Sequence, residues 1–579
     1  MRPLPQTRGR FLLSAQQPTP RVPPPVAGIQ VNHCKNALCS NFGVPALQSR
    51  GRVEGGAGSY RLSGTERQGR VLTCHVCRQS TTMYSNIAVA EEVARFDPIR
   101  QRTFAASCNK PGCSSVGRSL RDFPGLYLTH GTTRIGEPRH RCKACGGTFS
   151  TGAPIRTQKR PELNREVLKL LVNKVPMRRI CEVLDVNAAT LYSKLGYLAE
   201  VTAQFSSRQE ARLLTGEVSL ARAYVSVDRQ DHVLNWGSQL DRRNTALGAI
   251  GAVENKSGYV LAMQLNFDPE CDPQDVEADA IAQGDYGVPP VHRRYARLWL
   301  RGDYEAAAGR TTATPDDLEE AERENIDGKP PHSGMQVHLG ATYYGLFFHL
   351  KELLQHVERT RFFLDRDPGL DSACLAAFVS EVRARRVDAF IVKGGKELTV
   401  DKKKIKIAHA NRELEQFIKR AQVPEGESAR LHFVIDRLRT HMALADKLAW
   451  FEYPLADMAD SSKAIQYLTN FGDYDIGHLA NLYMLATLRG VDRFFMQVRR
   501  RLSLLERPIA TANSGRRAWH GYAAYSPLVA QRILHIFRGY YNFCLVGEDH
   551  RTPAMRLGLI DHPVALDTLS GPPAAHGGK

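Results

Sequence analysis

The pattern of apolar and polar residues predicts helices between residues 160 and 205. Apolar residues recur at helical spacing over 164–173 and again over 177–184, and a third run begins at Ala188. The polar turn 185–187 separates the second run from the third. Two helices joined by such a turn are typical of a helix-turn-helix, although an ordinary helical hairpin has the same pattern.

From residue 220 the periodicity changes to that of an α/β domain. Short apolar runs predict strands, and longer runs with helical spacing predict helices between and after them. The predicted strands are 224–228, 247–253, 259–267, 361–365 and 388–392. The predicted helices are 341–357, 371–385, 476–505 and 527–541. We therefore predict a mixed sheet flanked by helices.

Two polar stretches interrupt this domain. Residues 268–335 are acidic and contain many prolines, and residues 393–480 include three consecutive lysines. Both are interpreted as insertions into an α/β domain over 218–545. The Pro-rich and Arg-rich start, 1–30, is predicted to be a disordered basic tail, and 546–579 a C-terminal tail.

Eight of the twelve cysteines repeat one spacing pattern twice. Each copy has two cysteines separated by four residues and, after a loop, two cysteines separated by two residues. The two sets are Cys34, Cys39, Cys74 and Cys77, and Cys108, Cys113, Cys142 and Cys145. Four thiolates in two close pairs are the ligand set of a structural zinc ion, so we predict two zinc ribbons, over 31–82 and 104–152.

Positive charge is concentrated in the front part of the chain. The whole chain has 78 Lys and Arg against 60 Asp and Glu, of which residues 1–200 hold 30 and 12, so that 48 of each remain for the rest. A basic front part is suited to binding phosphate groups. The sequence shows no secretory signal and no apolar run of about 20 residues, so we expect an intracellular protein without a membrane span.

Three aspartates are candidates for metal-dependent chemistry. Asp228 and Asp365 each end an apolar strand, where a side chain can project into a site, and carboxylates are suited to divalent metal ions. Asp492 lies in a predicted helix, and Arg499 follows it by seven residues. Seven residues are about two helical turns, so Asp492 and Arg499 share one face of that helix.

Other acids compete for these roles. Asp367 lies two residues beyond Asp365, and Asp436 follows an apolar triplet, so either could replace Asp365. Glu506, at the end of the late helix, competes with Asp492. The insertions prevent sequence spacing from choosing among them, and a solvated strand end or a helix cap is the ordinary role of each.

The order of elements and acids resembles the RNase H-like DDE/DDD transposases of bacterial insertion sequences. The predicted order is β–β–β–α–β–α–β–α, with acids on the first strand, the fourth strand and a late helix. Arg499 matches the Lys or Arg that typically lies seven residues after the third acid in that family. The segments Tyr541-Asn542-Phe543, Thr552-Pro553-Ala554 and Gly558-Leu559 are similar to the "YNF … TPA … GL" tail common in these transposases. Aspartate as the third acid, where glutamate is commoner, and the second zinc ribbon are departures.

This resemblance implies both a fold and an activity. It implies an RNase H-like catalytic domain in which Asp228, Asp365 and Asp492 hold two Mg²⁺ ions for DNA hydrolysis and strand transfer. The zinc ribbons and the helix-turn-helix, over 160–205, resemble the regions with which the family recognises element ends. The partners implied are double-stranded DNA and further copies of the chain, and the location is the bacterial cytoplasm, on the nucleoid.

We predict a set of residues that contact DNA, from the start of the third helix, the second helix and the late basic helix. They are Arg178, Arg179, Thr190, Tyr192, Ser193, Lys194, Arg499 and Arg500. Two other functions fit the same sequence: a DNA-binding regulator that has lost catalysis, and a zinc-ribbon nuclease without strand transfer.

Overall fold

The structure is a computed structural model, and it describes most of the chain. The described residues are 20–48, 58–64, 70–96, 107–108, 110–116, 118, 120, 123–132, 138–150, 160–234, 245–308, 329–367, 369–394, 398–444, 448–506, 509–510, 518–519 and 524–571. Within these stretches, no helix combines the length and the apolar character needed to cross a lipid bilayer.

Each cysteine set lies on a small antiparallel sheet of three consecutive strands. The strands of the first sheet are β1 (Tyr60–Ser63), β2 (Val71–Cys74) and β3 (Ser80–Thr82). The strands of the second are β4 (Tyr127–Thr132), β5 (Pro138–Cys142) and β6 (Thr148–Ser150), preceded by a 3₁₀ turn at Pro124–Leu126. Helix α1 (Asn86–Arg95) follows the first sheet, and its N-terminus is capped by the Ser85 side chain. We call the described residues of 20–83 the first zinc module and those of 107–150 the second zinc module.

The start of the chain is ordered from residue 20 onwards. Val22 is fully buried, and the Arg21 guanidinium donates a 2.6 Å hydrogen bond to the carbonyl oxygen of Tyr60 in β1. The predicted disordered tail is therefore wrong for residues 20–30, because apolar contacts and hydrogen bonds hold them on the first zinc module. Residues 1–19 lie outside the described part of the chain.

The predicted helical region between 160 and 205 contains three helices and a preceding 3₁₀ turn. These are the 3₁₀ turn Pro161–Leu163 and the helices α2 (Asn164–Leu171), α3 (Met177–Leu184) and α4 (Ala188–Leu214). Asp185 ends α3 in the left-handed conformation with φ 49°, and Asn187 caps α4 by accepting a 2.8 Å hydrogen bond from the N–H of Thr190. Helix α4 runs beyond the predicted end of the region.

A seven-stranded mixed sheet forms the centre of the molecule. Its strands, in chain order, are β7 (Arg222–Leu234), β8 (Thr245–Glu254), β9 (Tyr259–Leu265), β12 (Arg359–Asp365), β13 (Val387–Gly394), β14 (Phe451–Glu452) and β15 (Lys463–Tyr467). The order across the sheet is β14-β15-β13-β12-β7-β8-β9. β7, β12 and β13 are parallel, and the other neighbouring pairs are antiparallel.

Further helices surround the sheet. They are α5 (Pro273–Ala282), α6 (Arg301–Ala308), α7 (Leu339–Leu353), α8 (Leu370–Ala377), α9 (Val379–Arg383), α10 (Val400–Ala421), α11 (Glu427–Leu444), α12 (Ile476–Leu485), α13 (Arg489–Arg501), α14 (Pro527–Phe543), α15 (Pro553–Leu557) and α16 (Leu566–Leu569). Short 3₁₀ turns lie at Asp285–Gly287, Pro290–His292 and Ser503–Leu505. Short strand pairs join β10 (Phe267–Asp268) to β11 (Met335–Gln336), and β16 (Ile509–Ala510) to β17 (Ala518–Trp519).

The two faces of the sheet support two separate apolar cores, because side chains alternate along each strand. On one face, Tyr224 and Phe363 pack in a core that includes residues of α12, α13 and α14. On the other face, Val225 and Phe362 pack in a core that includes residues of α7 and α8. We call these the α13 face and the α7 face.

Both stretches predicted as insertions hold regular structure. Residues 268–308 and 329–335 contain helices α5 and α6, and β11 pairs back onto β10. The second stretch, 393–480, contains the long helices α10 and α11 but also β14 and β15, which extend the central sheet. Only part of the second stretch is therefore inserted outside the sheet.

Candidate functional site

The four sulfur atoms of each cysteine set lie close together. In each set all four Sγ atoms are within 4.8 Å of one another, and all twelve cysteines are free thiols. The Sγ–Sγ distances include 3.5 Å (Cys34–Cys77), 3.8 Å (Cys39–Cys74), 3.4 Å (Cys108–Cys145) and 3.8 Å (Cys113–Cys142). A tetrahedral zinc ion with Zn–S bonds of about 2.3 Å places its sulfurs ~3.8 Å apart. The two sets are thus compatible with the two predicted zinc sites.

A tyrosine that the sequence analysis did not single out supports each cysteine set. Its hydroxyl accepts from the N–H of the first cysteine and donates to a loop carbonyl. The bonds are Cys34 N to Tyr60 Oη (2.9 Å) and Tyr60 Oη to Val44 O (2.7 Å), and Cys108 N to Tyr127 Oη (3.3 Å) and Tyr127 Oη to Ser115 O (3.1 Å). Tyr60 lies opposite Cys74, and Tyr127 opposite Cys142, in the two β-ladders. The internal duplication therefore includes the residues that hold the metal-binding loops.

Backbone and side-chain donors also point at the sulfurs. The N–H of Asn41 donates to Cys39 Sγ at 3.4 Å, and the N–H of Ser115 donates to Cys113 Sγ at the same distance. Hydrogen bonds to a thiolate stabilise its charged form, which is the form that binds metal. This donor pattern independently fits a bound zinc ion.

Asp228 and Asp365 lie side by side on the α13 face. Strands β7 and β12 are parallel and pair Val227 with Leu364, so the next residues along each strand are the two aspartates. Neighbouring strands are about 4.8 Å apart. Asp365 ends β12 as predicted, but β7 continues to Leu234, so the prediction that Asp228 ends its strand is wrong. Both aspartates are largely buried, with 8% of each residue exposed. The sheet register therefore brings together two acids that are 137 positions apart in the printed sequence.

Helix α13 crosses β7 above these acids. The N–H of Val491 donates to Ser226 Oγ at 3.1 Å, and Arg499 Nη1 donates to Gln230 Oε1 at 2.8 Å. Asp228 lies between Ser226 and Gln230 on the same side of the strand.

Asp492 lies in the first turn of α13 and is exposed. It shares the helix face of Arg499, which contacts β7. Among the described residues, the only groups of three or more metal-ligating side chains with atoms within 4.8 Å are the two cysteine sets. The three aspartates thus share one side of the fold without forming such a compact group.

Two polar residues beside Asp228 were missed by the sequence analysis. Gln230 links Arg499 to His232, whose Nε2 lies 3.2 Å from Gln230 Nε2. Burial, reinforced by the charge of Arg499, lowers the pKa of His232 to about 4. Alternation along β7 could have identified them: Gln230 and His232 follow Asp228 at steps of two residues and therefore lie on the same face of the strand.

Asp367, a rival of Asp365, is engaged on the other side of the sheet. Its carboxylate lies 3.1 Å from Nε of Arg229, a buried residue that alternation along β7 assigns to the α7 face. Burial raises the pKa of Asp367 to about 6 even though Arg229 opposes the shift. This ion pair gives Asp367 a structural role.

The other two rivals lie away from the acid pair. Asp436 is in the middle of helix α11, where Arg420 Nη2 lies 3.3 Å from its carboxylate. Glu506 pairs with Lys174 at 2.6 Å, beside the end of α2. Neither is at the end of a strand of the central sheet.

The predicted DNA contacts divide into exposed and buried residues. Arg178 and Arg179 are exposed on α3 and pair with Glu182. At the start of α4, Tyr192 and Ser193 are exposed and Thr190 is half-buried, while on α13 Arg500 is exposed and Arg499 half-buried. These positions leave all of them except Lys194 at least partly accessible.

Lys194 does not fit its predicted role. It is 1% exposed, and its Nζ donates 2.8 Å hydrogen bonds to the carbonyl oxygen of Arg160 and to Asn164 Oδ1. The ammonium group therefore fastens α4 to the start of α2. Lys194 lies three residues after Leu191, on the buried face of α4. A charged side chain favours an exposed position, so its residue type did not indicate this burial.

Fold and sites together define a class: a mixed α/β protein with two four-cysteine modules compatible with zinc. A scan against protein-family models gives no match to this chain, and a search of curated proteins gives none either.

Proposed function

We propose that the chain is a DNA transposase of the DDE/DDD type. One observation carries the proposal: the sheet register places Asp228 and Asp365 side by side, under a helix that bears Asp492 and Arg499. Paired acids on adjacent strands with a basic helix across them suit a metal-dependent reaction on a phosphodiester.

The order of the elements supports the same proposal. Strands β7, β8 and β9 form an antiparallel meander. Helix α7 then leads to β12, which pairs parallel to β7, and helix α8 precedes β13, which pairs parallel to β12. This is the β–β–β–α–β–α–β order that the resemblance to RNase H-like transposases implies, with the acids on the first strand, the fourth strand and the late helix.

The side chains of the site have separable roles. Mg²⁺ bound by the three carboxylates would activate the attacking oxygen and stabilise the leaving oxygen. Asp228 and Asp365 supply oxygen ligands from rigid, buried strands. Arg499, held by Gln230 close to Asp228, places a positive charge where a scissile phosphate would lie.

Two surfaces are suited to holding DNA. The start of α4 exposes Tyr192 and Ser193, as a recognition helix requires, and the preceding helix α3 exposes Arg178 and Arg179. Residues 107–150 contain seven lysines and arginines against two acids. Five of these cations lie among the described residues: Lys110, Arg118, Arg139, Arg141 and Lys143. Phosphate contacts from such a module provide affinity without sequence information.

The test is cleavage of a supercoiled plasmid that carries the DNA flanking this coding sequence. With Mg²⁺, the wild type should nick and join this DNA, and Asp228→Asn should reduce both reactions to background while binding the DNA as before. Asp436→Asn is the matched control, since it changes an acid of a distant helix and should keep full activity.

Each outcome separates the candidate functions. Nicking without joining indicates the nuclease, and binding without nicking by the wild type indicates the regulator. Wild-type rates in Asp228→Asn would contradict the assignment of the acid site itself.

A further inference from the structure

The first zinc module is packed against the sheet from the α7 face, behind the acids. Phe42, which lies between the two cysteine pairs, is 1% exposed and belongs to the same apolar core as Phe362 and Leu364 of β12. The carbonyl oxygen of Phe42 accepts a hydrogen bond from Arg383. A Cβ atom added to the next residue, Gly43, would lie 2.2 Å from Val379 Cγ1, so the metal-binding loop touches α9 directly.

A buried lysine interacts electrostatically with the start of α8. Lys35 follows the zinc ligand Cys34, is 6% exposed, and donates to the carbonyl oxygen of Val31. Its charge interacts with Asp371, which lies in the first turn of α8. Asp371 is six residues after Asp365, so this electrostatic interaction reaches the segment that leaves the acid-bearing strand.

Tyr84, which follows the third strand of the module, makes a second contact to that segment. A Cβ atom added to Gly369 would lie 3.5 Å from its hydroxyl oxygen, and Gly369 begins α8 with φ +98°. The Tyr84 ring packs edge-on against Tyr344 of α7 at 5.0 Å between centroids. The Phe42 loop thus contacts α9, while Tyr84, directly after the module, contacts α7 and the residue that caps α8.

We propose that the first zinc site is a strut for the acid site: its metal holds the Phe42 loop, which in turn fixes strand β12 and the 365–371 segment that positions Asp365. A closed four-cysteine site gains its folding energy from metal binding, and here part of that energy stabilises a neighbouring domain. The packing of the first zinc module on the sheet does not depend on whether the acids act on DNA.

Hydrogen–deuterium exchange of the full-length protein tests the strut. Phe42→Ala keeps all eight cysteines and should still bind two zinc ions per chain, but amides of 359–377 should exchange at least about tenfold faster than in the wild type. Phe149→Ala is the matched control, because this ring is buried beside Cys142 in the second module. It should speed exchange within 138–150 and leave 359–377 unchanged. Wild-type exchange over 359–377 in Phe42→Ala, or an equal change in both variants, would overturn the proposal.

A second variant covers the case in which Phe42→Ala does not fold. Lys35→Met keeps the apolar packing and the zinc ligands but removes the charge that faces Asp371. Exchange should then accelerate over 367–374 alone, and its absence there would count against the strut.

Binding of Mn²⁺, followed by electron paramagnetic resonance, reports on Asp365 itself. Phe42→Ala should bind Mn²⁺ more weakly than the wild type, whereas Phe149→Ala should match it. No Mn²⁺ binding by the wild type would contradict the proposed function, while the exchange data would still decide the strut.

Discussion

The two zinc modules share their ligand geometry and differ in what surrounds them. Each has four cysteines, a three-stranded sheet and a tyrosine that holds the first cysteine loop. In the first module, Val31 and Phe42 are 2% and 1% exposed and belong to the core of the central sheet. In the second, the apolar cluster found among the described residues draws all its members from the module itself, and Phe123 and Leu128 are about half exposed.

This difference shows that a ligand set does not decide the role of a metal site. A bound zinc ion stabilises the loops that carry its ligands, and the neighbours of those loops decide what else depends on it. The first module has become part of the α/β core. The second retains an exposed surface that carries cations.

The largest effect is expected when one zinc site is broken at a time. Cys74→Ser and Cys142→Ser change equivalent cysteines, and each should leave one zinc ion per chain. Cys74→Ser should lower the temperature of the main unfolding transition by roughly 5–15 °C, because contacts to the sheet core are lost. Cys142→Ser should leave that transition in place. Equal shifts of the main unfolding temperature in calorimetry would show that the two modules contribute equally to the stability of the sheet domain.

The next effect concerns DNA binding and its dependence on salt. Arg141→Gln with Lys143→Gln removes two exposed cations from the second module. The slope of log affinity against log salt should fall by about 1.8, since each phosphate contact contributes about 0.9. Arg61→Gln with Arg78→Gln, on the first module, is the matched control and should bind like the wild type. A similar loss in both pairs would mean that both modules contact DNA.

A smaller effect is expected from the paired tyrosines. Tyr60→Phe and Tyr127→Phe each leave the N–H of a buried cysteine without its acceptor, at a cost of about 1–3 kcal/mol. Zinc should be released to a chelator faster from the altered module in both variants. Only Tyr60→Phe should also lower the main unfolding temperature, and the same lowering by Tyr127→Phe would argue that the second module is docked as well.

The smallest effect is a pH dependence at the edge of the first module. His292 lies beside Val291, which packs on that module, and its pKa is lowered to about 4 by burial and then by the charge of Arg70. In the unfolded form His292 binds a proton below about pH 6.5, whereas in the folded form it stays neutral until about pH 4. The free energy of unfolding is therefore highest at neutral pH and falls as the pH drops towards 4. His292→Gln should flatten the fall in unfolding temperature over this range. His130→Gln, on the exposed surface of the second module, should leave the profile unchanged.

Much of the fold was accessible from local patterns. Short apolar runs predicted the strands that carry Asp228 and Asp365, and helical spacing predicted the helices over 341–357, 371–385, 476–505 and 527–541, since both patterns are properties of consecutive residues. The long helices α10 and α11 were not predicted. Most of the observed helices and strands begin or end a few residues from the predicted positions. The predicted helix over 476–505 is divided into α12 and α13. The two strands β14 and β15 were missed because they are short and lie within polar sequence.

The sequence by itself determined the two cysteine sets and the two apolar strands that carry Asp228 and Asp365, because ligand type, spacing and period are local. Only the tertiary structure decided that Asp228 and Asp365 are neighbours, that Asp367 is tied to Arg229 and that Lys194 is buried. It also decided that the two zinc modules have different surroundings. Each of these depends on which distant segments pack together, and burial and charge pairing between distant segments leave no mark in the spacing of residues along the chain.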